Sequence, residues 1–442
     1  MRIPAFRIIV AVALLAGFAV PGSGSAVPVP GGSSNVELIA QFPDIQAMGG
    51  RFIGRYLYTT ATDGLRVYDT ANPLQPVPVA TLPLPSFSNE DVSVSNTRKL
   101  VLLSSDWGGL GFGGGLFVVD VVNPALPRLI GVLPYNSIAN PDGSSFDRVG
   151  HIANCLNDCA RYAWITGADK GRMLVVDLQN PAAPRAAGWV TPQANPGNAT
   201  VGSKIVHDVT TDSFGDVWVF GSQGISKVDA SNPLAPVEKY SISKADNDRL
   251  DQLVMHNGMR LDARTLVVTE EDWIQPQCKA GDEGSLQTWE IPTTATGTLK
   301  PLDQWTTEMG TFLDGGTPVS VACSAHWFDL NAHGVAAVGW YHQGIRFLDV
   351  SKPGAIRQVG YYIPPWEVAG AGVSMALYVP GRSDLVYGMS LSSGLIVLRI
   401  ANGGAGAGTV VAPILAQWIG ARTTVDFEPH PTFGWACPVP TA

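Results

Sequence analysis

GLFVVDVVNPALPRLIGVLP, residues 115–134, decides the fold. An apolar run of β-formers ends at Val119-Asp120, two variable positions lead into Asn123-Pro124, and a second apolar run closes the unit on Pro134. Strand, tight turn and strand follow from that order, because Asn and Pro supply turn dihedrals and the flanking Val, Leu and Ile suit a pleated, buried surface. The same pattern returns as GLRVYDTANPLQPVPVATLPLP from Gly64, MLVVDLQNPAAPRAAGWVTP from Met173, GISKVDASNPLAPVEKYSI from Gly224 and GIRFLDVSKPGAIRQVGYYIP from Gly344.

Upstream of each unit lies another apolar run: YLYTT from Tyr56, LVLLSS from Leu100, YAWITG from Tyr162, VWVFG from Val217, LVVTEE from Leu266, VAAVGW from Val335 and LVYGMS from Leu385. A shorter strand precedes each run, so every unit holds four strands, A to D. Repetition at roughly 40 to 50 residues with Gly and Pro punctuation predicts an all-β, seven-bladed β-propeller. Unit five is degenerate, SLQTWEIPTTATGTLKPLDQW from Ser285. The last unit, GLIVLRI from Gly394, lacks a D strand. VELIAQF, Val36–Phe42, is the expected replacement, an N-terminal strand that completes the last blade and removes a sheet edge.

The motif of an apolar run ending in V-D, two variable residues and N-P resembles the LVIVD-repeat family of secreted β-propeller proteins. The resemblance implies a propeller over nearly the whole chain after its leader, and little about activity. The motif's Asp69, Asp120, Asp177, Asp229 and Asp349 read as side-chain caps of the C–D turn, not as calcium ligands.

Arg2, Arg7, the apolar Ile8–Val20 run and the small residues up to Ala26 form a secretory signal peptide, residues 1–26. The propeller is expected over 27–400, and a Gly/Ala linker with a C-terminal tail over 401–442. The predicted location is secreted, periplasmic or extracellular, with no membrane span, since no later stretch reaches about 18 apolar residues. A net charge of −9 argues against nucleic acid or an anionic membrane as partner. Only 15% of residues are charged, while Gly (49) and Pro (33) are abundant, the balance of a turn-rich β protein.

In a propeller the starts of the A strands converge near the axis. His151, His207, His256 and His326 occupy those starts in units three to six, each about 9 to 12 residues before its B strand. Glu90 and Asp91 hold the corresponding place in unit two, about Gln46 in unit one and about Ser374 in unit seven. Four of the chain's seven His thus share one phase, although the repeat does not dictate them. Imidazoles ringed with a carboxylate suit a divalent transition metal such as Zn, Cu, Fe, Ni or Mn. The B–C loops are expected to add Asp63, Asp106, Trp107, Asp169, Glu270, Glu271, Asp272, Trp273, Tyr341 and His342 to the same face, with Glu270, Glu271, Asp272 and His342 as substrate-binding candidates. His333 and His430 are expected to lie elsewhere.

Of five Cys, Cys155 and Cys159 share one short loop and are expected to form a disulfide. Cys278 and Cys323 fall on one face of adjacent blades and form the second expected pair, leaving Cys437. No GxSxG elbow, Walker loop, HExxH or dinucleotide fingerprint is present. Two function classes stay open: a metal or small-molecule site at the channel mouth, with metal-assisted oxidation or hydrolysis of a small molecule, and a non-catalytic module that binds an extracellular protein or glycan.

Overall fold

The computed structural model describes residues 31–61, 64–84, 92–105, 114–139, 150–167, 171–191, 206–221, 224–243, 254–271, 284–294, 297–307, 313–314, 317–318, 324–341, 343–364, 372–390 and 393–411. Seven antiparallel sheets succeed one another as blades. Blade one runs through Gly50–Ile53, Tyr56–Ala61, Gly64–Asp69 and Val77–Pro83, and blade two through Val92–Ser95, Leu100–Ser105, Gly115–Asp120 and Arg128–Pro134. Blades three, four and five start at Ala153–Cys155, Val206–Thr211 and Val254–Asp262. Blade six starts at Phe328–Leu330, and Gly31–Gly32 pairs with its outer strand Arg357–Ile363. Blade seven consists of Val373–Tyr378, Leu385–Ser390, Gly394–Ile400 and, as expected, Val36–Phe42 from the other end of the chain.

A shared irregularity shows that this N-terminal strand is a true D strand. In each blade the pairing of the C strand with the D strand shifts register once: at Val67/Tyr68, Leu129/Gly131, Val175/Val176, Lys227/Val228, Thr288/Trp289, Phe347/Leu348 and, in the last blade, Leu38/Ala40. A bulge bends the outer strand and increases its twist. The donated strand carries the same device as the six made in sequence order.

Burial follows blade stacking. Inner strands such as Leu100–Ser105 and Leu385–Ser390 are buried at every residue, because a neighbouring blade covers each face and alternation would leave polar groups dry. Outer strands such as Arg185–Val190 keep exposed positions. The apolar core accordingly divides into seven clusters, one for each interface between neighbouring blades. The cluster joining blades seven and one, with Tyr387, Met389, Leu57 and Tyr68, closes the ring.

The motif's aspartates cap their turns. Asp69, Asp120, Asp177, Asp229 and Asp349 each accept the backbone N–H two residues on, at 2.8–3.0 Å. Each also meets a basic partner, Arg55, Arg128, Arg161 with Arg185, Lys239 and Arg357 in turn. The expected Cys155–Cys159 disulfide is present and closes a turn in which Asn157, Asp158 and Cys159 are all left-handed. Cys278, Cys323 and Cys437 lie outside the described residues.

Expected to begin a flexible linker, the Gly/Ala-rich stretch after blade seven is instead held against blade six as far as residue 410. Asn331 donates to the Gly403 carbonyl, Arg357 to that of Ala407, and Gln358 and Val410 bond reciprocally. Gly403 and Gly404 have φ of 63° and 79°, a turn that brings the chain back onto the sheet. No helix among the described residues is long and apolar enough to cross a membrane.

Candidate metal centre

The four phased histidines meet. His151, His207, His256 and His326 form a consecutive stack in blade order, with ring centroids 4.7, 4.1 and 4.1 Å apart, and Tyr341 continues it at 4.6 Å from His326. His207, His256 and His326 are buried, and His151 at the open end is half-buried.

Local backbone explains why these side chains reach inward. At the head of the A strand the pairing with the B strand skips from Val206 to Asp208 in blade four, from Met255 to Asn257 in blade five and from Val373 to Met375 in blade seven. The skipped residues are His207, His256 and Ser374. A residue left out of the ladder by a bulge is re-aimed relative to its neighbours, here toward the axis. His151 and His326 lie two residues ahead of their strands, and their N–H groups bond the carbonyls of Thr166 (2.8 Å) and Gly339 (2.9 Å).

Glu271 completes the arrangement. Its Oε2 stands 3.9 Å from Nε2 of His256 and its Oε1 3.9 Å from Nε2 of His326, and Tyr341 donates its phenol to Oε1. Ligand atoms of His207, His256 and Glu271 all lie within 4.8 Å of one another. Nε2 of His151 is 3.1 Å from Nε2 of His207. Two ligands at about 2.0–2.1 Å from a tetrahedral ion stand roughly 3.3 Å apart, so this pair already has a metal-like spacing and the Glu271 gaps need to close by about half an ångström.

The outer nitrogens set the tautomers. Nδ1 of His326 donates to the Ser374 carbonyl at 2.6 Å, and Nδ1 of His256 faces Asn257 Oδ1 at 3.2 Å, an oxygen that also accepts from Thr269. With the proton on Nδ1, Nε2 presents its lone pair toward Glu271, the state that a ligating imidazole needs.

Glu270 and Glu271, expected in the B–C loop, are the last two residues of strand Thr265–Glu271. Both are only 1% exposed, and strand alternation sends them apart. Glu271 faces the imidazoles, whereas Glu270 turns away to accept from Ser285 (2.6 Å) and Gln287 (2.8 Å). Glu90, Asp91, Asp272 and His342, with the loop residues Asp63, Asp106, Trp107, Asp169 and Trp273, lie outside the described residues. His333 sits in the A–B turn of blade six, and His430 is outside the described residues.

Tyr341, expected on this face, and Asn257 and Trp327, which the sequence reading did not single out, complete the surroundings. Trp327 stands edge-on to His256, centroids 5.0 Å apart at 83°. A His-Asn dipeptide at a predicted A-strand start was the available signal for Asn257.

Fold and cluster together define a seven-bladed β-propeller with an axial histidine–carboxylate cluster. Residues 110–133 match the family model of the LVIVD repeat. No curated protein matches the chain. Among solved structures the chain is similar to the WD40 beta propeller domain of Doa1, with a TM-score of 0.50 and 12% identity over 82% of this chain and 96% of that one. It is also similar to the beta-propeller domain of Cps50 (Swd1) from Myceliophteria thermophila, with a TM-score of 0.51 and 14% identity over 82% of this chain and 99% of that one. At these identities the likeness is one of fold.

Proposed function

We propose that this chain is a secreted metal-binding propeller whose axial cluster holds a divalent transition metal ion and acts on a small molecule by metal-assisted oxidation or hydrolysis. The observation that carries the reading is the convergence of His207, His256 and Glu271 donor atoms within 4.8 Å in a buried space, flanked by His151 and His326. A buried carboxylate among imidazoles is costly to desolvate, and an ion between them offsets that cost through direct bonds. The nitrogen and oxygen donor set suits Zn, Cu, Fe, Ni or Mn. Bound there, such an ion supplies Lewis acidity toward a water or a substrate oxygen.

The chain's own residues hold the arrangement. Ser374 and Asn257 fix two ring orientations, and Tyr341 fixes Glu271. Secretion is part of the proposal on two grounds, the leader over residues 1–26 and the Cys155–Cys159 disulfide, which suits an oxidising compartment.

Elemental analysis of the purified protein tests the reading, beside a His207→Ala/His256→Ala variant. About one metal per chain is expected in the intact protein and none in the variant. Absence of metal in the intact protein under several metal supplies would overturn it and favour the non-catalytic recognition module.

A further inference from the structure

Every blade ends in an outer strand with one edge turned away from its sheet. Such an edge is a template for pairing with another chain unless charge, proline or cover blunts it. The chain uses this template itself: Gly31–Gly32 adds a fifth strand to blade six, and Val36–Phe42 supplies the outer strand of blade seven. Farther along the blade-six edge, Asn35 and Val410 bond the Val359 and Gln358 carbonyls.

The other outer strands differ in their protection. Val77–Pro83 of blade one carries Pro78, Val237–Ser243 of blade four Glu238 and Lys239, Lys300–Trp305 of blade five Pro301 and Asp303, and Val36–Phe42 Glu37. In blade three, Arg185–Val190 exposes Ala186 and Ala187, and Arg172 lies over its Trp189 ring at 5.4 Å. The exposed Val77, Val237 and Leu38 each adjoin a blunting residue, Pro78, Glu238 and Glu37.

Arg128–Pro134 of blade two, RLIGVLP, lacks these devices. Among the described residues it pairs on one side only, with Gly115–Asp120, and its one charge, on Arg128, is met by Asp120 at 2.5 Å. Leu129 and Val132 are 40% and 41% exposed, and no other outer strand among the described residues shows two large apolar side chains to solvent. These two share a face, because the register shift sets Leu129 opposite Val119 and Val132 opposite Phe117, two positions apart on the C strand. Val122 and Leu126, in the turn that enters the strand, add two more exposed apolar side chains to this rim.

We propose that this edge docks a second copy of the chain, the two blade-two outer strands pairing antiparallel about a two-fold axis. Self-pairing of that kind sets Leu129 of each copy against Val132 of the other, an apolar cross-strand pair made twice. The contact uses one patch on both copies and so closes, leaving no edge from which to propagate. Arg128 and Asp120 balance each other within each copy, so no net charge is brought to the axis. Seven residues at about 3.3 Å each make an edge of about 23 Å, a contact at the small end of specific interfaces with micromolar association. Docking there requires no ion at the histidines and goes beyond the metal reading.

Sedimentation velocity of the purified protein between about 1 and 100 μM, with a chelator present, tests this. The mass is expected to rise from that of one chain toward that of two. Leu129→Lys and Val132→Lys, both at exposed positions, should each weaken association at least about tenfold, while Ala186→Lys on the blade-three edge should leave it unchanged. Hydrogen exchange on the unaltered chain reads the same contact without a variant: amides of residues 129–133 slow as concentration rises, and those of 185–190 do not. A single-chain mass across the whole range overturns the proposal. So does a dimer that Leu129→Lys leaves intact, or one whose formation does not slow exchange at 129–133. The chelator separates each of these outcomes from failure of the metal reading.

Discussion

Tyr341 donates its phenol to Oε1 of Glu271 from a left-handed backbone, φ 36°, at the end of the B strand of blade six. A non-glycine residue in that region costs on the order of 1–3 kcal/mol and persists only where its surroundings over-determine it. Here the Val373 N–H bonds the Tyr341 carbonyl at 2.9 Å, and Gly344 donates to the same carbonyl at 3.1 Å. The strained turn aims a phenol at the Glu271 carboxylate, which lies between His256 and His326.

Tyr341→Phe removes only the hydroxyl, so the ring stack persists while Glu271 loses the bond that fixes its orientation. Metal affinity is expected to fall about 10- to 100-fold, as for other supports of ligand groups. Competition with a chromophoric chelator measures it, and unchanged affinity would show that the phenol does not position the ligand.

Glu271→Gln separates the metal role of the carboxylate from a structural one. The intact protein at a metal concentration 100 times its Kd should gain about 2.7 kcal/mol of stability, and the Gln variant far less. Without metal the variant should melt no lower than the parent, because a buried charge has been replaced by a neutral group of the same shape. Thermal unfolding with and without metal reads both. A large loss in the metal-free state would assign Glu271 to holding the blades together.

The two layers of this result were unequally legible in the sequence. The C–D turn is local chemistry, so Asp120, Asn123 and Pro124 announce it within five residues, and its repetition places the blades. The histidines were legible through phase, since His207 and His256 sit at one point of the repeat. Glu271 was seen as a substrate-binding candidate on a B–C loop and not as a partner of the imidazoles, because an acidic pair at the end of an apolar run reads as the start of a loop, while here the strand continues through both residues. The bulges that turn His207 and His256 inward, and the left-handed backbone at Tyr341, depend on pairing between strands and leave no mark in residue order. The stacking of Arg51 on Trp327 joins residues from blades one and six, a neighbourhood that exists only once the ring closes.

The turn aspartates predict an acid response. The Ser231 backbone N–H, then its hydroxyl and Lys239, hold Asp229 down to about 2. At Asp349 burial opposes ionisation, but the bonds from Ser351 and Arg357 outweigh it and keep the carboxyl below its usual range. A folded pKa below the unfolded value of about 3.9 gives stability that is full above that value and disappears as pH falls through the folded one. Asp349→Ala is expected to cost about 1–3 kcal/mol in urea unfolding at pH 7, and clearly less near pH 2. An equal cost at both pH values would mean that the carboxylate's charge contributes nothing.

The Cys155–Cys159 bond closes a turn that also joins two blades. Asp158 accepts from the backbone of Asn96 (2.6 Å) and of Thr97 (2.8 Å) in blade two. Chain-entropy arithmetic for so short a loop gives about 2 kcal/mol. Replacing both Cys with Ser should lower the unfolding free energy by about that amount without altering metal content, because the loop's contacts run to blade two and not to the histidines. Loss of metal in this variant would place the loop in the site's support.

Ring closure by the N-terminal strand gives the last prediction. Removing residues 1–43 leaves Gly394–Ile400, GLIVLRI, as an unpaired apolar edge and takes Val36 out of the cluster between blades six and seven. An edge of that composition pairs with other chains unless charge or proline blunts it, and this one has only Arg399. The truncated protein should therefore shift to larger species than the intact protein in light scattering, and its melting should depend more strongly on concentration. Supplying residues 31–43 as a separate peptide should reverse both effects by refilling the D position, since Asn35 and Gln41 also bond the Val359 and Ser393 carbonyls at 2.8 Å. A truncated chain that stays at the intact protein's size and melting temperature would show that the other six interfaces hold the ring without it.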